Sequence, residues 1–512
     1  MARTSAAARA ALSLWLATAA RAVRAASPPP PYPPYYVPAS LEQRCDHFNA
    51  QNRDTFRQRY LVNATHWAGP GAPILLYTGG EGDGIDSVFA HSGYVLELAR
   101  ELSALALFAE MRFFGESMPY GEEGSFIRSA ERLGLLSIEQ ALADAAALVV
   151  AVRAEHGAEQ SKVIALGGSL AGTLAFLLRA KYPALVHAAL AASAPIFGYA
   201  GLTDAYGWYR VATRTFELQV PGCERAVRSA FAALLAATPA AIDRAFNTCA
   251  PATASTAAQL GRRLTDVLAA MAESSYPRDL SPVLAACKLV MTGIPGGLGG
   301  FARILVPPGK CLNASALAAA DRSPLLRARP SGARRLARAL GAALDGPRSA
   351  DTGSAHTGSA HTGSADTGWY YLACTEVVHP IAANNVTDFF PPFEWDPDAL
   401  ARACRDMFGV EPRLRWLPES MGMAGGLNAL HRVASRVLFS NGLLDPWSAG
   451  SVTVSPPASR SRSLVTLNLP HGSHHTDLGS WGNPAPSAQD SAELVSARRV
   501  ELALLRAWLG ED

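Results

Sequence analysis

The stretch KVIALGGSLAGTLAFLLRAKYP, residues 162 to 183, sets the strongest limit on what this chain can fold into. An apolar run ends at Gly167 and Gly168, and a helical pattern starts directly after Ser169. A strand that is apolar throughout is buried on both faces, which needs helices packed above and below it. The alternation recurs along the first part of the chain. APILLYTGGEGD reads as a strand ending in a glycine turn, ALALFAEMRFFGES as a strand and loop, and HAALAASAPI as another strand. Between them, LLSIEQALADAAALVVAVRAEHG carries Ser137 and Gln140 at capping-box spacing and closes at Gly157, the marks of a helix. Strands alternating with helices predict a parallel α/β sheet.

From Gly201 to Arg432 the pattern changes to alanine-rich helices, prolines and most of the cysteines. The strand pattern returns in RVLFSNGLLDPW and SLVTLNLPHGSHH, followed by a helix from about Ser491 to Leu509. The expected organisation is therefore a sheet domain in two parts, residues 26–200 and 433–512, interrupted by an inserted helical cap at 201–432. With 512 residues, 49% of them hydrophobic, the chain can bury cores for both. Inside the insertion, ADTGSAHTGSAHTGSADTG repeats a short Gly/Ser/Thr unit over 350–368, a composition that predicts a flexible loop. Its Asp-Thr-Gly triplets at Asp351 and Asp366 are not an aspartic-protease pair, because both lie within one repeat rather than on two rigid lobes.

Lys and Arg total 45 against 43 Asp and Glu, a balance that gives no reason to expect a nucleic-acid or membrane partner. The start, MARTSAAARAALSLWLATAARAVRAASPPP, places arginines before an apolar run from Ala10 to Ala20 and small residues after it. That order predicts a signal peptide over residues 1–25, cleaved after Ala22 or Ala25, and the run is too short to span a membrane. Asn63, Asn313 and Asn385 head Asn-x-Ser/Thr triplets and are candidate glycosylation sites in the same compartment. The seven cysteines lack the spacing of a zinc site, so disulfides with one thiol left over are expected, and no metal.

A serine hydroxyl becomes a good nucleophile when a base takes its proton and fixed donors meet the oxyanion. A strand-to-helix elbow supplies both the exposure and the helix N-terminus, provided the residues two before and two after the serine are small. Gly167 and Ala171 flank Ser169 in those places. On its own the pair of glycines is equally a simple turn. Asp445 and the HGSHH histidines follow in the order nucleophile, acid, histidine, each after a late strand, which is the order of an α/β-hydrolase. Read singly, Asp445 caps a turn before Pro446, and the histidines form a surface cluster.

The stretches CDHFN, YTGGEGD, LLSIEQALAD, GGSLAG, KYPALVHAALAASAPI, CTEVVHPIAANNVTDFFPP, FSNGLLDPWSAG and GSHHTDL carry a resemblance. The chain resembles the family of serine peptidases that holds lysosomal Pro-X carboxypeptidase, dipeptidyl peptidase 2 and thymus-specific serine protease, over most of 42–505 except roughly 312–368. LSIEQALAD with ANNVTDFFPP sits closest to dipeptidyl peptidase 2. The resemblance implies an α/β-hydrolase fold with a helical cap, Ser169 as nucleophile, Asp445 as the acid and His474 as the base, with His475 and His471 as alternatives. It implies backbone oxyanion donors at Leu170 and Gly80 and an apolar S1 wall including Trp447. It also implies a Cys374–Cys404 bridge. Cys223–Cys287 and Cys249–Cys311 are inferred from order and could exchange partners, while Cys45 stands in an apolar place and is expected to be a free, packed thiol. Where the family reads GGSYGG this chain has Leu170 and Ala171, losing an aromatic side chain beside the nucleophile, and where it reads TGNEGD and HRYYG the chain has Gly80, Met111, Phe113 and Phe114, changes expected to make the pocket less polar.

The implied activity is a cofactor-free serine exopeptidase of the lysosome, secretory vesicles or exterior, releasing N-terminal dipeptides with Pro or Ala in second place at mildly acidic pH. Glu81, Asp83 or an acid from the cap is expected to hold the substrate amine. Peptides are the expected partners, and a homodimer is compatible with the same reading. A Pro-X carboxypeptidase shares the chemistry but needs a cationic or donor-rich anchor for a carboxylate, and a silent binding homologue is the non-enzymatic alternative.

Overall fold

The computed structural model describes residues 36–81, 84–121, 129–292, 298–313, 362–456, 463–479 and 486–510. The strands are β1 (Val37–Arg44), β2 (Thr55–Asn63), β3 (Ile74–Tyr77), β4 (Leu105–Ala109), β5 (Val163–Gly168), β6 (Ala188–Ala192), β7 (Val437–Gly442) and β8 (Leu464–Leu469). They form one eight-stranded sheet in the order β1-β2-β4-β3-β5-β6-β7-β8. From β4 to β8 neighbouring strands are parallel. β3 to β6 are buried along their whole length, as their unbroken apolar runs require. β1 and β2 were not foreseen. They add an antiparallel edge, with Val37 opposite Val62 and Tyr60 opposite Ala109. In β2 the signal is alternation: TFRQRYLVN begins by alternating exposed and buried side chains.

The helices on the sheet include α1 (Ile85–His91), α2 (Gly93–Leu102), α3 (Ile138–His156) and α4 (Leu170–Lys181). α3 starts as its sequence predicts. Ser137 Oγ accepts the Gln140 amide at 3.2 Å, and Gly157 closes the helix in the left-handed conformation at φ 60°. Arg112, fully buried, grips Asp144 of α3 with Nε at 2.6 Å and Nη2 at 2.7 Å, while its Nη1 donates to the carbonyls of Cys45 and Leu135. Cys45 is itself buried and free, packed as a small apolar side chain.

Between β6 and β7 the chain leaves the sheet. α5 (Gly207–Gln219), α6 (Cys223–Leu235), α7 (Thr256–Glu273) and α8 (Pro282–Met291) build a second core around Phe216, Phe231, Leu264 and Phe301. α9 (Thr362–Thr375) and α10 (Pro397–Phe408) instead contribute Trp369, Leu372, Leu400 and Phe408 to the core beneath the sheet. The inserted stretch thus packs in two ways, its first part on itself and its second part on the sheet helices. Disulfides join Cys223 to Cys287, Cys249 to Cys311 and Cys374 to Cys404, the pairings expected. α11 (Ala492–Gly510) ends the described chain, and the signal segment lies outside the described residues. Among the described residues no helix is long and apolar enough to cross a membrane.

Two expectations need correction. Asn63 is 5% exposed, so a glycan on its amide would have to enter the core, whereas Asn313 is half-buried and Asn385 exposed. The repeat at 350–368 is not loop to its end, because α9 begins at Thr362. The reason is packing. Trp369, Tyr371 and Leu372 are fixed in the core, and a helix anchored at one end extends backward at low cost once nucleated. Gly368 already lies against Phe114, where a Cβ would come within 3.1 Å of the ring. The earlier part of the repeat lies outside the described residues. Deleting 350–361 is therefore expected to leave peptide hydrolysis and melting temperature unchanged, whereas extending the deletion through Gly368 should lower both, measured on the purified full-length chain.

Candidate active site

Ser169 sits at the turn from β5 into α4 with φ 60° and ψ −127°, a strained conformation for a residue with a side chain. Its surroundings hold it there. The Ser169 amide donates to the Ala192 carbonyl at 2.9 Å, and its carbonyl accepts from the Thr173 amide at 3.0 Å. Glycine is required on the strand side: a Cβ on Gly167 would lie 2.7 Å from the Ala171 methyl, and one on Gly168 would lie 2.7 Å from the His475 ring. Ala171 is therefore accommodated as the sequence suggested, its methyl filling space that the bare backbone of Gly167 leaves. Gly80 approaches the same methyl, its notional Cβ 3.5 Å away, and Thr78 Oγ1 donates to the Ala171 carbonyl at 2.6 Å. The turn after β3 is thereby tied to the elbow, beside Leu170.

The loops after β7 and β8, two and three strands along the sheet from β5, meet beside the elbow. Gly442 lets them touch, since a Cβ there would run into the Ser473 and Gly472 carbonyls. Asp445 is fully buried. Its Oδ1 accepts the Trp447 amide at 3.0 Å, and its Oδ2 accepts His474 Nδ1–H at 2.7 Å. With Nδ1 committed as donor, the lone pair of the neutral imidazole lies on Nε2. His474 Nε2 is buried with no hydrogen-bond partner among the described residues, so it makes no bond to Ser169 Oγ in this state. Burial by itself would strip the proton from His474, but the charge and hydrogen bond of Asp445, with Glu273 and Glu81 behind them, outweigh it and hold the pKa above the ordinary imidazole value.

The alternative histidines are otherwise engaged. His471 is exposed and binds Glu493 at 2.8 Å. His475 points its Nδ1 at the Gly479 carbonyl, 3.2 Å away, and burial and then the neighbouring His474 push its pKa down to about 4. It serves as a packing wall for Gly168.

A pocket beside Ser169 is lined by Leu170, Glu81 and Trp447, all expected there, and by Tyr199, Trp369 and His379, which were not. Asp83 lies outside the described residues. Met111, Phe113 and Phe114, expected to make the pocket less polar, are core residues under the sheet and do not line it. Glu273 was also missed. It ends α7, is 2% exposed, and its carbonyl accepts the His474 amide at 3.2 Å. Nothing in its local sequence marks it, because only the return of α7 over the strand ends brings it near His474.

A sheet of this order, with a serine elbow after β5, a carboxylate after β7 and a histidine after β8, is an α/β-hydrolase. The family model for serine carboxypeptidase S28 matches residues 43–292 and 347–501. This chain is a member of the S28 family. Lysosomal Pro-X carboxypeptidase of Mus musculus is 31% identical over 482 residues, covering 91% of this chain and 88% of the relative. The Homo sapiens protein of that name is also 31% identical, over 91% of this chain and 87% of its own. Thymus-specific serine protease of Homo sapiens is 29% identical, over 92% and 86%. This S28 member is a serine peptidase by family, and its elbow differs from the expected GGSYGG in carrying Leu170 and Ala171.

Because the Gly168 backbone touches His475, Gly168→Ala should push that ring and the adjoining His474 out of place. An expected loss of about 1–3 kcal/mol from overpacking would lower the melting temperature, and a displacement near 1 Å at the base would cost roughly 100-fold in kcat/KM. Calorimetry and steady-state kinetics on the variant check both.

Proposed function

We propose that this chain is a serine exopeptidase acting through Ser169, His474 and Asp445. The observation that carries the reading is the buried Asp445–His474 hydrogen bond beside a strained serine elbow, with Ser169 and Glu81 on one pocket. His474 Nε2 takes the proton from Ser169 Oγ as that oxygen attacks the scissile carbonyl. The amides of Leu170 and Gly80 meet the oxyanion, the leaving amine departs with the proton from Nε2, and water repeats the cycle on the acyl-enzyme.

The charge in the pocket favours a free amine over a free carboxylate. Glu81 lines it, and the acidic groups felt by His474 are Asp445, Glu273 and Glu81. A substrate ammonium two residues from the scissile bond would pair with such a carboxylate, which supports release of N-terminal dipeptides, and the pocket beside Ser169 would receive the small side chain of their second residue. The second reading, removal of a C-terminal residue after proline, is favoured by the identity to Pro-X carboxypeptidases. Disulfides and lysosomal relatives support a lysosomal or secreted site of action.

Ser169→Ala and His474→Ala are each expected to lower kcat by roughly four to six orders of magnitude without loss of fold, the two together no more than either alone. Reporter peptides with free and acetylated N-termini decide between the readings: equal cleavage of both sinks amine anchoring. Glu81→Gln should raise KM for the free-amine peptide by about 10- to 100-fold, the worth of a charged hydrogen bond.

The pH profile provides an independent check. His474 must be neutral to act as base, and its pKa lies above the usual value of about 6.5. The acid limb of kcat/KM is therefore expected at higher pH than for a free imidazole, opposing the mildly acidic preference that a charged substrate amine would favour. Since Glu81 contributes to the upward shift, Glu81→Gln should move that limb toward lower pH, read from kcat/KM between pH 4 and 9.

A further inference from the structure

We infer that His379 makes the pocket beside Ser169 selective for a small substrate side chain bearing a hydroxyl, such as serine or hydroxyproline, over its apolar counterpart, alanine or proline. The inference rests on the proposed reaction, in which this pocket receives the side chain before the scissile bond.

His379 is 5% exposed and lines the pocket with Ser169 and Trp369. Its ring is held on both sides, stacked on Tyr199 at 5.0 Å and set edgewise to Trp447 at 4.9 Å. Nδ1 lies 2.6 Å from the Gly198 carbonyl. A carbonyl only accepts, so Nδ1 carries the proton and Nε2 carries a lone pair. Burial pushes the pKa of His379 down to about 4, which keeps the ring neutral and this tautomer in place. Nε2 has no hydrogen bond among the described residues.

A wall of this kind is costly to cover with an apolar group. Methyl or methylene against Nε2 leaves a desolvated acceptor unpaired, whereas a hydroxyl can donate to His379. Sites with fixed polar groups discriminate strongly against analogues that lack the matching group, more strongly than apolar pockets reject added bulk. His379 acts here on specificity alone, since the proton transfers belong to His474.

The test uses pairs of reporters that differ by one hydroxyl, Gly-Ser against Gly-Ala and Gly-hydroxyprolyl against Gly-prolyl, on the full chain and on His379→Leu. The wild-type chain is expected to favour the hydroxyl member by about tenfold or more in kcat/KM, and His379→Leu to abolish or reverse the preference mainly by improving the apolar member. Labelling of Ser169 by a fluorophosphonate certifies that the variant is folded. Equal or apolar-favouring kinetics in the wild-type chain overturn the inference without any variant, as does a labelled His379→Leu that keeps the preference. Protection of Ser169 from the probe by the unsubstituted dipeptides reads binding apart from turnover. Hydroxyl-selective protection with no hydrolysis would remove the proposed reaction and keep the pocket assignment, and no protection by any of them would remove the assignment.

Discussion

The carboxyl ends of β5, β7 and β8 come together only because bare backbone stands where they touch. Gly167 receives the Ala171 methyl, Gly168 receives the His475 ring, and Gly442 receives the carbonyls of Gly472 and Ser473. Each contact is too close for a Cβ, so the distances between Ser169, Asp445 and His474 are set by glycine positions rather than by the reacting side chains. The Asp445–His474 bond at 2.7 Å is the consequence, formed between two loops whose carbonyl and amide groups are already interlocked. Strain at Ser169 is held by the same frame, through the hydrogen bonds from its amide to the Ala192 carbonyl and from the Thr78 hydroxyl to the Ala171 carbonyl in α4.

The inserted helices complete the site from the other side. Thr215 of α5 donates its hydroxyl to the Leu444 carbonyl at 2.7 Å, next to Asp445, and the Glu273 carbonyl at the end of α7 accepts the His474 amide. Trp447 belongs to the insertion's own core while lining the Ser169 pocket, so that core and the pocket share a wall. Electrostatics follow from this arrangement. Low exposure disfavours charge on His474, and three carboxylates within its reach reverse the sign, whereas at His475 burial and the neighbouring His474 outweigh the pull of Asp445, and at His379 burial meets no carboxylate at all. Three imidazoles in one neighbourhood thus differ in their hold on a proton, His474 upward and His475 and His379 downward from the ordinary value.

Leu170 and Ala171 stand where the usual pattern has an aromatic residue and the second glycine. The backbone accommodates them, since the extra methyl is met by Gly167 and Gly80 and the path into α4 is kept. The aromatic neighbours of the pocket come instead from distant segments: Tyr199 after β6, Trp369 on α9 and Trp447 after β7.

Sequence by itself determined the parallel sheet, the capped helix α3 and the order of Ser169, Asp445 and His474, because each leaves a local mark: an apolar run, a capping spacing, a motif order; of the cysteine pairings, two were open to exchange until the fold brought the partners together. The β1–β2 edge was legible only as alternation and went unread. What tertiary structure alone decided is everything that depends on two segments meeting. Glu273 near His474, the tautomer of His379 set by Gly198, the burial of Asn63 and the helical end of the repeat have no signature in their own neighbourhoods. His474 and His475 are adjacent identical residues in the chain, and only the carboxylate that reaches one ring and the glycine that packs against the other make them different.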